Sequence, residues 1–315
     1  MRLKKFLPIS SGRGPVEMLY QPPASQQIYK STIPPRYHGV AVEEYFSSRF
    51  PYQTREAWIE QILNGDILLN GEIALPGNVL SEGDRIITNA GVRQEPPADR
   101  RLKVVYEDRH IRVFNKPAPI PVHPSGRYFQ NSMTEVLRKM YPEEIPRPVQ
   151  RLDATTTGLI VFARSKQAAG FIMKEFKKQR IKKEYLALVK GKPEQKRFTL
   201  NEPIGVRAGA KRGVGEGILK PQSAITQVEW LASNDTHSIL KVIPLSGRTN
   251  QIRVHLSNYG LPILNDEIYG EGESENYEYG LHAWTLSFQC FDRYFEFKAP
   301  PPPHFHSYCS GLENL

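Results

Sequence analysis

Cysteine is nearly missing from this chain: there are two among 315 residues, Cys290 and Cys309, and no CxxC pair. Two thiols cannot build a disulfide framework and this spacing offers no zinc site, so a reducing, cytoplasmic setting without a structural metal is expected. Long apolar runs are lacking too. No stretch of about 18 apolar residues occurs, and the basic start MRLKKFLPIS lacks the apolar segment of a secretory signal, so no membrane is expected as a partner. Internal repeats and long low-complexity segments are also missing. Acidic residues are in short supply: 42 Lys and Arg face 33 Asp and Glu, leaving a net charge of +9 and a pI near 9.4. That balance favours a polyanionic partner, although many basic proteins never meet a nucleic acid.

The length suits one sizeable domain plus a small one. Residues 1–35, with Gly12, Gly14, Pro22-Pro23 and Pro34-Pro35, show no sustained periodicity and are expected to form an extended arm. From Val40 the apolar positions Val42, Tyr45, Phe46 and Phe50 recur at helical spacing. A second helix is expected from the cap Thr54 to Gly65, and Asn70-Gly71 marks a two-residue hairpin turn. Residues 36–95 therefore read as a small helix-and-hairpin domain, closed by the Pro-rich stretch before Arg101. Beyond it, strand-like segments follow one another: 103–106, 111–115, 158–164, 184–190, 224–231, 238–244, 282–288 and 294–297. Two helical patterns interrupt them, at 166–179 and from Asn250. Strands succeeding strands predict an α+β domain on a mainly antiparallel, mixed sheet over 101–303, with a loose tail at 304–315.

Two segments carry chemistry. Gln150-Arg151-Leu152-Asp153-Ala154-Thr155-Thr156-Thr157-Gly158-Leu159 sets an arginine and an aspartate in a polar loop before an apolar strand, a place suited to catalysis but also to an ordinary turn. Pro244-Leu245-Ser246-Gly247-Arg248-Thr249-Asn250-Gln251-Ile252-Arg253 places two arginines around the turn into a helix, where guanidinium and backbone N–H groups can grip anions. Together they resemble the RluA-like family of pseudouridine synthases, whose signatures read roughly HRLDxxTSGL and GRTHQIRxH. The resemblance extends to Asn115-Lys116-Pro117, to Lys183-Glu184-Tyr185-Leu186-Ala187-Leu188-Val189, to Gly260, Pro262, Ile263 and Asp266, and to Leu281-His282-Ala283. The N-terminal module is similar to an S4-type RNA-binding domain through its paired helices, Leu69-Asn70-Gly71 and Glu82-Gly83-Asp84.

The resemblance implies an RNA pseudouridine synthase that isomerises uridines in structured ribosomal or transfer RNA, with no cofactor and no metal, probing its substrate as a single chain. It assigns catalysis to Asp153, as nucleophile or base, with Arg253 beside it and Tyr185 stacked on the extruded uracil. Arg151, Lys116, Arg164, Thr156, Lys183, Arg248, Asn250, Gln251 and Ile252 are the expected RNA-binding residues. The chain departs from the signatures at Gln150, Thr157, Asn250, Leu261 and Asn265, none of which replaces a presumed catalytic group. Two rivals remain at this point. One is an RNA-binding factor without turnover; the other is a glycosidic-bond hydrolase, for which Asp266 would be the second carboxylate. His304, His306 and Cys309 offer no second ligand pair for a metal.

Overall fold

The computed structural model describes residues 19–208, 211–272 and 278–308. The described residues divide into two compact units: a small one within 23–95 and 203–223, and a large one within 19–22, 96–202 and 224–308. In the small unit, α1 (Val42–Arg49) and α2 (Arg55–Leu63) pack over a sheet of β1 (Ser25–Thr32), β2 (Ile67–Leu69), β3 (Glu72–Ile73) and β4 (Arg85–Arg93), in the order β1-β4-β2-β3. Thr54 accepts a hydrogen bond from the Ala57 N–H at the start of α2, and Gly65 ends it at φ +76°. Tyr45, Phe46, Trp58, Ile62 and Ile86 fill the core between helices and sheet.

Two expectations for this region need correction. Residues 25–32, assigned to the arm, are an edge strand registered antiparallel along β4 from Ser25↔Arg93 to Thr32↔Arg85. Farther along the chain, the stretch 207–220, whose four glycines predict a loop, contributes residues 207–208, 211–213 and 219–220 to a three-stranded sheet of β11 (Ile204–Ala208), β12 (Lys211–Gly213) and β13 (Leu219–Gln222). Backbone pairing with β11 on both sides supplies the order that the side chains do not advertise.

The large unit is built on ten strands: β5 (Lys103–Glu107), β6 (Ile111–Lys116), β7 (Arg147–Pro148), β8 (Thr157–Ala163), β9 (Lys182–Lys190), β10 (Arg197–Leu200), β14 (Thr226–Ser233), β15 (His237–Pro244), β16 (Leu281–Cys290) and β17 (Arg293–Lys298). The main path runs β10-β14-β15-β9-β16-β8-β6-β5, with β17 beside β16 and β7 beside β8. Alternation assigns the two faces. On β8, Leu159, Val161 and Ala163 pack under α4 (Lys166–Lys177), whereas Ile160 and Phe162 face α3 (Met133–Met140). On β9, Ala187 and Val189 meet Ile252 and Leu256 of α5 (Gln251–Asn258), while Leu186 and Leu188 meet Phe305 of α6 (Pro303–Tyr308). The sheet is thus covered on both sides. The supposed loose tail is docked at least through α6, because Phe305 is fully buried and His304 bonds the Tyr279 carbonyl; Cys309 lies outside the described residues. Among the described residues no three His, Cys, Asp or Glu side chains gather as a metal site, and no helix is long and apolar enough to cross a membrane.

Among the described pairings, one is parallel: β8 against β16, with Thr157↔His282 and Gly158↔Ala283. His282 is buried there, its Nδ1 2.8 Å from Thr157 Oγ1 and its Nε2 3.1 Å from the Ala299 carbonyl. A carbonyl can only accept, so Nε2 carries the proton and Nδ1 accepts from the threonine. Burial pushes the imidazole pKa down to about 4 from an ordinary 6.5. Because the folded value lies below the unfolded one, this group's contribution is complete above pH 6.5 and is lost as pH falls towards 4. Urea unfolding should show stability falling by about 1.4 kcal/mol per pH unit across that window from this group. His282→Gln is expected to flatten the slope; a variant retaining the full slope would clear His282 of responsibility.

Candidate active site

The two chemistry-bearing loops meet at one end of β8 and β9. Asp153 sits four residues before β8, Tyr185 lies within β9, and Arg253 projects from the first turn of α5. Arg253 Nη1 donates to Asp153 Oδ2 at 2.8 Å. The guanidinium is itself fixed by Asp266: Nε donates to Oδ2 and Nη2 to Oδ1, both at 2.8 Å. Asp266 is fully buried and also accepts from the backbone N–H groups of Ile268 and Tyr269 and from the Tyr279 hydroxyl, each at 3.0 Å. Burial opposes its charge, yet the Arg253 bonds and the two backbone donors outweigh it and hold the carboxyl below the usual carboxylate range. Burial opposes the charge of Arg253 as well, yet its bonds to Asp266, with the Tyr279 and Asp153 groups nearby, raise its pKa. Arg253 is therefore a permanently charged arm whose Nε and Nη2 are clamped by Asp266 while Nη1 is directed at Asp153.

This geometry disposes of the hydrolase reading. Both Asp266 oxygens are occupied, by five donors in all, so neither is available to protonate a leaving group or activate water. Asp266→Asn should destabilise the fold by about 3 kcal/mol, because it strips a buried arginine of its counter-charge, and should lower turnover with it. Paired melting and activity measurements check this; a variant losing activity at unchanged stability would contradict the clamp.

The cavity over Asp153, about 150 Å³, is lined by Arg151, Thr156, Lys183, Tyr185, Arg248, Asn250, Gln251, Ile252 and Arg253. Ten of the twelve expected site residues, counting Asp153, thus converge, but not in equal roles. Tyr185 is partly buried, and burial together with the Asp153 charge pushes its phenol pKa up, so it stays a neutral hydroxyl. Gln251 holds the loop: its Oε1 accepts from the Ser246 hydroxyl and the Arg248 N–H, and its Nε2 donates to the Ile225 carbonyl and Thr226 Oγ1. With all four positions taken, it organises the loop rather than contacting a ligand. Asn250 caps α5 in the left-handed region at φ 57°, donates to the Tyr269 hydroxyl and receives a long bond from Arg253. Gln150 donates to the Leu159 carbonyl. Both departures from the family signature therefore still make hydrogen bonds.

Lys116 and Arg164 are corrections. The Lys116 side chain is buried, and its three N–H groups serve the carbonyls of Pro117, Ile120 and Ala154 at 2.8–3.0 Å. It ties the end of β6 to the Asp153 loop instead of reaching RNA; burial depresses its pKa to about 7, against the pull of Asp153 and Asp99. Arg164 lies at the far end of β8, where it and Arg112 share Glu107 and Glu144. Its charge is spent within that network, and the Arg112 guanidinium carbon stands over the Tyr141 ring, 3.6 Å from its centre.

Comparison with known proteins adds independent findings. A profile described as RNA pseudouridylate synthase matches residues 110–258. The mitochondrial tRNA pseudouridine(32) synthase of Saccharomyces cerevisiae is 34% identical over 252 residues, covering 78% of this chain and 54% of that protein. An uncharacterized RNA pseudouridine synthase of Bacillus subtilis, YhcT, is 32% identical over 216 residues, covering 65% of this chain and 70% of that protein. Human RNA pseudouridylate synthase domain containing 1 superposes with a TM-score of 0.59 at 29% identity, over 66% of this chain and 86% of the solved one. The matched region spans only about half of the yeast relative's length.

Proposed function

Because the chain belongs to the RNA pseudouridylate synthase family, we propose that it isomerises selected uridines in structured RNA to pseudouridine. The observation that carries this reading is the Asp153 carboxylate presented at the cavity by a doubly clamped Arg253, with Tyr185 in the same wall. In the reaction the N1–C1′ bond breaks, the uracil turns within the cavity, C5 bonds to C1′, and the C5 proton leaves while N1 gains one. The change is isomeric and imports no group. Asp153 either attacks C1′ or removes a ribose proton; Arg253 orients the carboxylate for both roles. The neutral Tyr185 phenol suits stacking against the uracil and donating a hydrogen bond more than removing the C5 proton.

The yeast relative's name makes transfer RNA the first substrate to try. The small unit's α1–α2 pair and Asn70-Gly71 hairpin support an S4-like RNA-binding role for residues 36–95. Every side chain assigned to the chemistry lies in one unit of one chain, which fits a monomer. The test is incubation with transfer RNA tritiated at uridine C5, followed by nucleoside analysis. Tritium in water together with pseudouridine in the digest supports the reading. Free uracil would indicate a hydrolase, and RNA bound but chemically unchanged would indicate a binding factor.

A further inference from the structure

The cavity over Asp153 opens on one side into a cleft of about 530 Å³, more than three times its size, which shares Arg151, Asp153, Lys183, Tyr185, Arg248 and Asn250 with it. The outer wall of this cleft comes from α4. Met173 and Phe176 lie one helical turn apart on one face, and both line the cleft. Phe176 leans partly into the core beneath α4, but Met173 is 57% exposed and stabilises little there. Exposure alone would mean little, but Met173 stands beside Phe176 on the wall of the cleft, and the two together offer an adaptable apolar contact surface.

Two cations, Arg151 and Lys183, share the cleft with this wall. Arg112, Arg164 and Arg197 are each paired with a carboxylate. Among the described residues, neither Arg151 nor Lys183 has such a partner, although Lys183 is partly buried and its ammonium stands 5.9 Å from the Phe176 ring centre. Burial lowers the Lys183 pKa, a penalty that a bound anion would relieve. Unpaired cations beside an apolar wall, continuous with a cavity that takes an extruded base, match a nucleotide: phosphate on the cations, base on the wall.

We infer that this cleft is a second nucleotide subsite, in which the residue adjacent to the target uridine stacks its base on Met173 and Phe176 while its phosphate meets Lys183 and Arg151. The inference rests on the isomerase reading and deepens it: recognition would extend to an unpaired neighbour, so the target must lie in a single-stranded loop. A base extruded into the Asp153 cavity carries its flanking phosphates to the cavity mouth, where these two cations stand.

Met173→Ala changes no charge and, at an exposed position, leaves the core intact. It is expected to raise KM for C5-tritiated transfer RNA about five-fold, the lower end of what loss of one stacked base produces. Met173→Glu, which replaces the apolar stacking surface by a carboxylate beside a polyanion, should raise it further. KM values for both variants equal to that of the unaltered protein overturn the subsite. A readout independent of turnover separates this outcome from failure of the isomerase reading. Ultraviolet crosslinking of the protein to transfer RNA containing 4-thiouridine should label the peptide spanning 171–180, whether or not tritium is released. Label confined to other peptides, or none at all, overturns the subsite as well.

Discussion

Asp153→Asn lowers C5-tritium release by roughly a thousandfold or more, at a stability cost below about 1 kcal/mol. The two halves of this expectation come from different features of the site. The Asp153 side chain is 36% exposed and receives a single bond from Arg253, whose Nε and Nη2 remain with Asp266 after the change. An amide of the same shape keeps an oxygen for Arg253 Nη1, so the loop should hold its place. Chemically the amide fails in either role, because it cannot attack C1′ and cannot take a ribose proton. A thousandfold corresponds to about 4 kcal/mol of lost transition-state stabilisation, within reach of one covalent or acid–base group. Single-turnover kinetics and calorimetry on the same preparation check both halves. Retention of more than about a tenth of the activity would remove Asp153 from the chemistry. The contrast with Asp266→Asn, which should lose stability and turnover together, separates the reacting carboxylate from the one that positions its partner.

The parts legible in the sequence are those whose physics is local. Thr54 can cap only the helix that follows it, and Asn70-Gly71 needs no distant residue to turn, so both stand where expected. The loops at 150–157 and 244–255 were legible as a pair because each sets polar residues at the edge of an apolar element. Partnerships closed by tertiary structure were not. Arg164 and Lys116 sit inside family-like motifs and look like RNA contacts, but carboxylates from 107 and 144, and carbonyls from 117, 120 and 154, claim them. Asp266 looked like a spare acid because nothing in its own segment announces an arginine thirteen residues earlier. The strand β1 escaped notice for a different reason: as an edge it buries little, Ile28 is half exposed, and no alternation is imposed on it. The prolines before α6 suggest a loose tail, although Pro303 is the first residue of that helix, where proline is well tolerated. The helix α3, Met133–Met140, does carry a local signal, since Met133, Val136 and Leu137 recur at helical spacing and are buried, but its irregular neighbours mask it.

The largest expected effect on folding belongs to Gly158, where the site loop becomes β8. Its φ is +107°, and a Cβ built there would stand 2.2 Å from the Ala283 carbonyl oxygen and 2.7 Å from the Ala283 nitrogen. These are backbone atoms of β16, so no side chain can swing away; the parallel junction itself would have to part. Gly158→Ala therefore combines a backbone conformation closed to alanine with a collision in the centre of the sheet, and should cost about 4 kcal/mol or more, lowering Tm by roughly 10 °C or beyond. Neighbouring bonds amplify the loss, since Thr157 on one side anchors His282 and Asp153 lies five residues upstream. Gly170 offers the opposite result from the same substitution. It is exposed in the middle of α4, with nothing within 4 Å of an added Cβ, so Gly170→Ala should raise stability by about 0.5–1 kcal/mol through helix propensity. Denaturant unfolding of the two variants beside the unaltered protein reads both signs at once. A Gly158→Ala protein as stable as the original would mean that β8 and β16 are not joined at Gly158 and Ala283, and the placement of the Asp153 loop at that junction would fall with it.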